Sequence, residues 1–379
     1  MTEQSSHAQE VQDQEHEPLH SENYRPYAVL TIGTEQKVIE KGSPVRERIF
    51  AYGRNFRHMH IILLSGTTAV TVQEEGNITV YPTNSGGKLR RYRDAVRIGK
   101  RIRDVDIISV QDPFEVGVVG LLVARARQIP LHVQVHTDFL SPSFASHSLI
   151  NRIRVFLAGF VLRGAARIRV VSPRIARSIT KRYGELAPIS VLPIYVDTAR
   201  FATAEPGPVL PQRFAKFLYR LLLIARLESE KGAARALEAF AQAAPSTACL
   251  IITGDGRERD ALLARAEALG VASRVFFEGT RDPAPYMALA DLVLVPSEYE
   301  GYGMVIIEAL AAGKPVLATD VGIAQDAGAI VAAHDDYAGA LARWFANGER
   351  VGKLRFEPYA SFDDYVDAYC RDIAAAKEA

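Results

Sequence analysis

Short runs of aliphatic and β-branched residues recur along this chain, each followed by a stretch of helical spacing, and that alternation restricts the fold more than any other feature. Segments 27–32, 60–64, 78–82, 106–110, 131–135, 167–171 and 189–192 read as strands, and a second series reads at 220–225, 248–253, 274–277, 292–295 and 315–318. Strands separated by helices of about 10 to 15 residues imply βαβ units and a mostly parallel sheet. Leu292, Val293, Leu294 and Val295 are apolar in both side-chain directions, as a strand covered on both faces must be. Between the two series, residues 203–213 hold Pro206, Gly207, Pro208 and Pro211, a composition that disfavours both helix and central strand. At 379 residues the chain also exceeds what one core can hold, about 250 to 300 residues. The expected layout is a disordered acidic tail over 1–23, a first α/β domain over 24–200, a linker over 201–217, a second α/β domain over 218–360 and a closing helix over 361–379.

Charge divides along the same boundaries. The net formal charge is +1, but residues 1–23 carry −6, residues 24–200 carry +14 and residues 201–379 carry −7. A first domain so basic is expected to meet something anionic: a membrane surface, a phosphorylated acceptor or nucleic acid. The near-neutral total and the lack of interleaved aromatic and basic residues argue against nucleic acid. Cys249 and Cys370 are the two cysteines and stand in no metal-binding or disulfide pattern, which favours a reducing compartment. No run approaches the roughly 18 apolar residues of a membrane span, and the amino terminus lacks a basic stretch followed by an apolar one, so a cytoplasmic protein is expected.

The chemistry concentrates after the strand ending at Val295. Pro296, Ser297, Glu298, Tyr299, Glu300, Gly301, Tyr302 and Gly303 form a loop, and Met304, Val305, Ile306, Ile307, Glu308, Ala309 and Leu310 continue as an almost wholly apolar helix. Strand ends of open α/β sheets bind ligands, and helix N-termini present free N–H groups to anions. Glu308 is the lone carboxylate in that helix; it needs donors, and the hydroxyls of a ribose would supply them.

Glu300 and Glu308 make an E-x7-E spacing around Gly-Tyr-Gly, and here the chain resembles the retaining glycosyltransferases of family four. Further elements follow the family's order: Arg226 and Lys231 in segment 225–232, Gly254 in a Thr-Gly-Asp-Gly turn, and Phe277 and Gly279 in a Phe-Glu-Gly stretch. The resemblance implies the GT-B fold, two facing Rossmann-like domains with the last helix crossing back to the first. It implies transfer of a hexosyl unit from a nucleoside-diphosphate sugar to an acceptor hydroxyl with retention. Arg226 and Lys231 would hold the diphosphate, Glu308 the ribose, Glu300 with Gly301, Tyr302, Gly303, Met304 and Val305 the sugar and its phosphates, and Gly254, Phe277 and Gly279 the nucleotide side. His136, at the end of the 131–135 strand, would meet sugar or acceptor beside Glu300. No metal and no cofactor beyond the sugar nucleotide are expected. A nucleotide-sugar epimerase or hydrolase, and a non-catalytic nucleotide-sugar-binding protein, are the alternative readings.

The first domain follows the pattern less closely. The usual paired-glycine loop after the first strand is absent, and Gly33 or Gly42 is the candidate substitute. Asp104 and Asp106 form a D-x-D pattern that reads as a strand entry rather than a metal site, and Ser172 before Pro173 reads as a helix cap. Segment 88–103 holds Lys88, Arg90, Arg91, Arg93, Arg97, Lys100, Arg101 and Arg103 against Asp94, with Leu89, Tyr92, Val96 and Ile102 spaced to turn inward. Such a basic helix suits an anionic membrane, and hence a lipid-linked acceptor and a peripheral position at the inner face of the membrane; a plain solvated basic face is the alternative. Segment 153–162 mixes Phe156, Leu157, Phe160, Val161 and Leu162 with flanking Arg152, Arg154 and Arg163, a pattern open to two readings, an interfacial helix or, more commonly, a buried one.

Overall fold

The computed structural model describes residues 24–67 and 70–378 and realises the alternation as two parallel sheets. The expected tail over 1–23 lies outside the described residues. The first sheet contains β1 (Ala28–Gly33), β2 (His58–Leu63), β3 (Gln73–Glu75), β4 (Ile78–Pro82), β5 (Ile107–Val110), β6 (Leu131–Val135), β7 (Arg167–Val170) and β8 (Ile189–Val191). Its order is β3-β4-β2-β1-β5-β6-β7-β8, parallel throughout except for the β3–β4 pair. The second contains β9 (Tyr219–Ile224), β10 (Ala248–Thr253), β11 (Val275–Gly279), β12 (Leu292–Val295), β13 (Val316–Thr319) and β14 (Ile330–Ala332), in the order β11-β10-β9-β12-β13-β14. Every residue of β6, β10 and β12 is buried, as helices on both faces of a sheet require.

In both sheets the winding reverses beside the first strand: between β1 and β5, and between β9 and β12. At such a point the two adjacent connections leave in opposite directions, and a crevice opens at the carboxyl ends of the strands.

Two strands, β3 and β14, have no counterpart in the sequence pattern. Gln73, Glu74 and Glu75 pair antiparallel with β4 through the backbone, so no apolar period marks them. The three-residue β14 closes the far edge of the second sheet. The inter-domain segment also differs from expectation. Helices form at Thr198–Ala202, where Asp197 accepts the Arg200 amide, and at Val209–Arg213. Pro211 sits in the first turn of the latter, where its missing N–H costs no helical bond. Phe201, Phe214 and Phe217 are buried and join a core shared by the two sheets.

The closing helix, Phe362–Ala374, crosses to the first domain. Tyr365, Val366, Tyr369, Cys370 and Ile373 are buried in one cluster with Val29, Phe50, Tyr52 and Ile107, and the Tyr52 and Tyr369 rings lie 4.3 Å apart. Each such large side chain contributes about 1.5 to 3 kcal/mol on burial. Across the cleft, Phe144 meets Tyr299 edge-on at 5.4 Å, Arg174 pairs with Asp320, and Ser143 Oγ donates to Glu298 Oε2 at 3.4 Å. Among the described residues no helix is long and apolar enough to cross a membrane.

Candidate active site

The crevice between β9 and β12 opens into a cavity of about 470 Å³ whose wall includes Arg226, Lys231, Gly254, Glu300, Tyr302 and, from the first domain, His136. The loop after β12 enters the helix Met304–Ala311 through Gly303, which offers no side-chain cap. The Ile306 amide turns back to the Gly303 carbonyl at 2.9 Å, while Met304 and Val305, ahead of it in the first turn and without a side-chain cap, line the cavity. Close backbone approach fixes two glycines. A β-carbon on Gly301 would lie 1.8 Å from the His136 carbonyl oxygen, and one on Gly254, held at φ 126°, would lie 1.8 Å from the Ala225 carbonyl oxygen. The first contact joins the domains; the second joins the ends of β9 and β10.

Lys231 Nζ donates to Glu300 Oε1 at 2.6 Å, and Ser297 Oγ donates to the same oxygen at 2.9 Å. An ammonium carries three donors, so Lys231 can hold Glu300 and still reach a phosphate. Arg226 stands at the rim with 73% of its side chain exposed and its guanidinium 3.5 Å from Glu230. Glu308 lies one helical turn beyond Met304, on the same side, and outside the cavity wall. Burial raises its carboxyl to about 7 against the pull of Arg200. The Tyr302 hydroxyl and the Thr253 hydroxyl are both buried without a hydrogen-bond partner, and both residues line the cavity.

His136 is held from behind. Arg169 NH1, which can only donate, lies 2.8 Å from Gln134 Oε1 and so identifies that atom as the amide oxygen. His136 Nε2, 3.2 Å from the same oxygen, must then carry a hydrogen. Burial, with Arg169 and His132 adding to it, lowers the imidazole to about 3, so the ring is neutral and its Nδ1 is an acceptor. The amide nitrogen of Gln134 donates to Ser109 Oγ at 3.1 Å and to the Tyr369 hydroxyl at 2.8 Å. Further back, His132 bridges Ser109 Oγ and Asp372 Oδ2, while Asp372 Oδ1 accepts from Arg167 and Ser190. The crossing helix, through Tyr369 and Asp372, thus braces the strand that carries His136. Gln134, Arg169, Thr253 and Ser297 escape sequence reasoning; the available signal is the polar residues His132, Gln134 and Arg169 alternating with aliphatic ones in β6 and β7, strands of a covered sheet.

The remaining candidates fall elsewhere. Gly279 stays off the cavity wall, but its carbonyl accepts the Gly254 amide at 2.8 Å. Phe277 packs against the second core and does not line the cavity. Neither does Gly33 or Gly42. Asp104 and Asp106 both pair with Arg57, and Asp106 Oδ2 also accepts the Ala28 amide. Ser172 occupies the cap position, yet its hydroxyl makes no cap bond and is buried without a partner, a correction to the capping expectation. Leu89 does not turn inward: it is 84% exposed, because the helix Lys88–Arg101 packs through Ala95 and Gly99 instead.

Comparison with known proteins agrees with this geometry in both halves. Residues 55–200 match the family model described as Glycosyltransferase Family 4, and residues 219–347 match Glycosyl transferases group 1. Over 248 residues, 60% of this chain, it is 28% identical to a glycogen synthase of Mycobacterium tuberculosis and 27% identical to the alpha-monoglucosyldiacylglycerol synthase of Streptococcus pneumoniae. The matched stretch spans little over half of those relatives, 57% and 55% of their length. HepE of Anabaena, solved in complex with UDP and glucose, superposes with a TM-score of 0.66 at 20% identity, covering 92% of this chain and 95% of HepE. Two doubly wound domains, a crossing last helix and family matches in each half together show that the chain belongs to the family-four glycosyltransferases of GT-B fold.

Proposed function

We propose that this protein is a hexosyltransferase that moves a sugar from a nucleoside diphosphate to an acceptor hydroxyl, with retention at the anomeric carbon and without a metal ion. The observation that carries this reading is the single cavity in which Lys231, Arg226, Glu300 and an uncapped helix end meet His136 from the opposite domain. The bond from the anomeric carbon to the diphosphate breaks, the acceptor oxygen bonds that carbon, and the acceptor proton leaves with the nucleotide. Negative charge grows on the departing β-phosphate, where fixed cations and helix amides stabilise it best. Lys231 and Arg226 supply the cations; Met304 and Val305 supply the amides.

In this reading Glu300 accepts from the sugar hydroxyls and Glu308 from the ribose. The neutral His136 offers Nδ1 to a sugar or acceptor hydroxyl. Gly254, braced by Gly279, lets the nucleotide approach the backbone, and Phe277 supports that side from the core. Retention is supported by family membership. HepE, solved with UDP and glucose, makes UDP-glucose the first donor to test.

The acceptor is lipid-linked and is reached at the inner face of an anionic membrane through segment 88–103. The net charge of +14 over residues 24–200 supports this, as does similarity to an enzyme named as a glucosyldiacylglycerol synthase. Buried, unpaired Cys249 and Cys370 fit a cytoplasmic setting. A nucleotide-release screen over UDP-, GDP- and ADP-sugars, with and without lipid-linked acceptors, tests the reading. Release that requires an acceptor supports it; equal release without one points to a hydrolase, and none with any donor overturns it.

A further inference from the structure

Of the two readings that the sequence leaves open for segment 153–162, interfacial or buried, the structure favours the first, because the helix Leu149–Leu162 buries only one side. Asn151, Ala158, Val161 and Leu162 face the core. Ile150 is 59% exposed, Ile153 58%, Phe156 77% and Phe160 46%, with Leu149 beside them. Their spacing places all five on one face of the helix. A contiguous apolar ridge of this kind on a protein surface marks an interaction site.

The ridge has a cationic neighbour. The helix Glu115–Arg127 packs against both Leu149–Leu162 and Lys88–Arg101, so the three form one outer layer on the first sheet. Between them lies an open apolar groove of about 370 Å³, lined by Tyr92, Val96, Val118, Leu122 and Leu157, with Arg93 at its edge. Arg93 also borders a second depression, shared with Arg90, Arg97 and Arg101. The two acidic residues of these three helices are Asp94 and Glu115, and both are already engaged, with Arg97 at 2.9 Å and Arg154 at 3.1 Å. The layer therefore offers an apolar ridge, an apolar groove and a row of arginines with little opposing charge.

We propose that this layer docks on an anionic bilayer, with Ile153, Phe156 and Phe160 entering the acyl region while Arg90, Arg93, Arg97 and Arg101 meet lipid phosphates. Basic side chains beside large apolar ones on one surface are the chemistry of an interfacial element. A second copy of the chain is disfavoured as the occupant, because a twofold contact would set one arginine row near the other. The proposal rests on the lipid-linked acceptor reading and extends it: membrane contact uses an inserted ridge and not the 88–103 segment alone.

Sedimentation of the full chain with vesicles of phosphatidylcholine, alone or mixed with phosphatidylglycerol, tests this. The wild type is expected to bind the mixed vesicles and largely ignore the neutral ones. The double substitution Ile153→Asp and Phe156→Asp should lower the partition coefficient by at least about tenfold, and Arg93→Glu with Arg97→Glu should remove the dependence on phosphatidylglycerol. UDP affinity, measured by calorimetry, should stay unchanged in both variants, which shows that the fold and donor site are intact. Wild-type vesicle binding by the Ile153/Phe156 variant would overturn the proposal. So would a wild-type dimer in solution that this variant dissociates. Ridge-dependent vesicle binding by a protein that cleaves no sugar nucleotide would sink the transferase reading and leave the docking surface standing.

Discussion

The carbonyl oxygen of His136 occupies the place where a β-carbon on Gly301 would sit, 1.8 Å away. The two domains meet there through main chain alone, so the loop after β12 and the strand that carries the candidate histidine share one fixed spacing. Gly301→Ala has no flexible neighbour to displace and must push the domains apart. A displacement near 1 Å costs about 10²-fold in rate. Steady-state nucleotide release should show that loss, while UDP affinity, which depends on the second domain, falls far less.

Lys231 and Glu300, 2.6 Å apart, are expected to fail differently. Lys231→Ala removes a cation from the leaving phosphate and should reduce kcat by about 10² to 10³-fold, the range found for a lost transition-state donor, with weaker UDP binding. Glu300→Gln keeps the shape and the Ser297 contact. It should leave UDP affinity near wild type and act on the sugar, which appears as a drop in kcat with the sugar nucleotide. Calorimetry with UDP beside rate measurements separates the two.

Glu308 gives a pH signature. Its folded-state value of about 7 lies above the ordinary carboxylate range, so between roughly 4.5 and 7 the folded chain binds more protons than the unfolded one. Stability should therefore decline as pH rises through that window, by roughly 1 to 3 kcal/mol, and Glu308→Gln should flatten the decline in denaturant melts. UDP affinity should rise across the same window, because the carboxylate accepts ribose hydroxyls better than the acid does. A wild-type affinity independent of pH would remove Glu308 from the ribose site.

Gln134 tests whether His136 is oriented from behind. Gln134→Leu strips the acceptor from buried Arg169 and His136 and should cost about 2 to 4 kcal/mol of stability together with a fall in kcat. Gln134→Glu keeps an acceptor oxygen for both and should recover most of the rate. Equal rates for the two variants would mean that His136 needs no such support.

Asp372 should set the acid limit of the fold. Burial alone would raise its carboxyl, but hydrogen bonds from His132, Ser190 and Arg167 hold it well below the usual range. A depressed value stabilises the fold above the unfolded carboxylate value of about 3.9 and loses that contribution as pH falls below it. Asp372→Asn should cost about 3 to 5 kcal/mol near neutrality, the scale for breaking a buried pair, with a smaller penalty in acid. Urea melts at both pH values check this.

Most strand positions were legible in the sequence, because a covered parallel strand must be apolar in both side-chain directions and punctuated by turns. The short helices of the inter-domain segment are not legible for the complementary reason. Its prolines describe local backbone cost, whereas Phe201, Phe214 and Phe217 are buried by sheets far away in the chain. The candidate site was legible through Arg226, Lys231 and Glu300, each in a loop that follows a strand, whereas Glu308 lies off the cavity wall.

What the sequence determined by itself is the class of fold and the glycine-bearing loop after β12, both products of short-range pattern. Only the tertiary structure decided that Gly301 meets His136, that Gln134 and Arg169 stand behind the imidazole, and that the Phe156 face of its helix is open to solvent. Each depends on sheet order and domain contact. The energy of a buried polar group or an exposed apolar one is set by neighbours hundreds of residues away, as Gln134 and Tyr369 are, and a one-dimensional period carries no record of them.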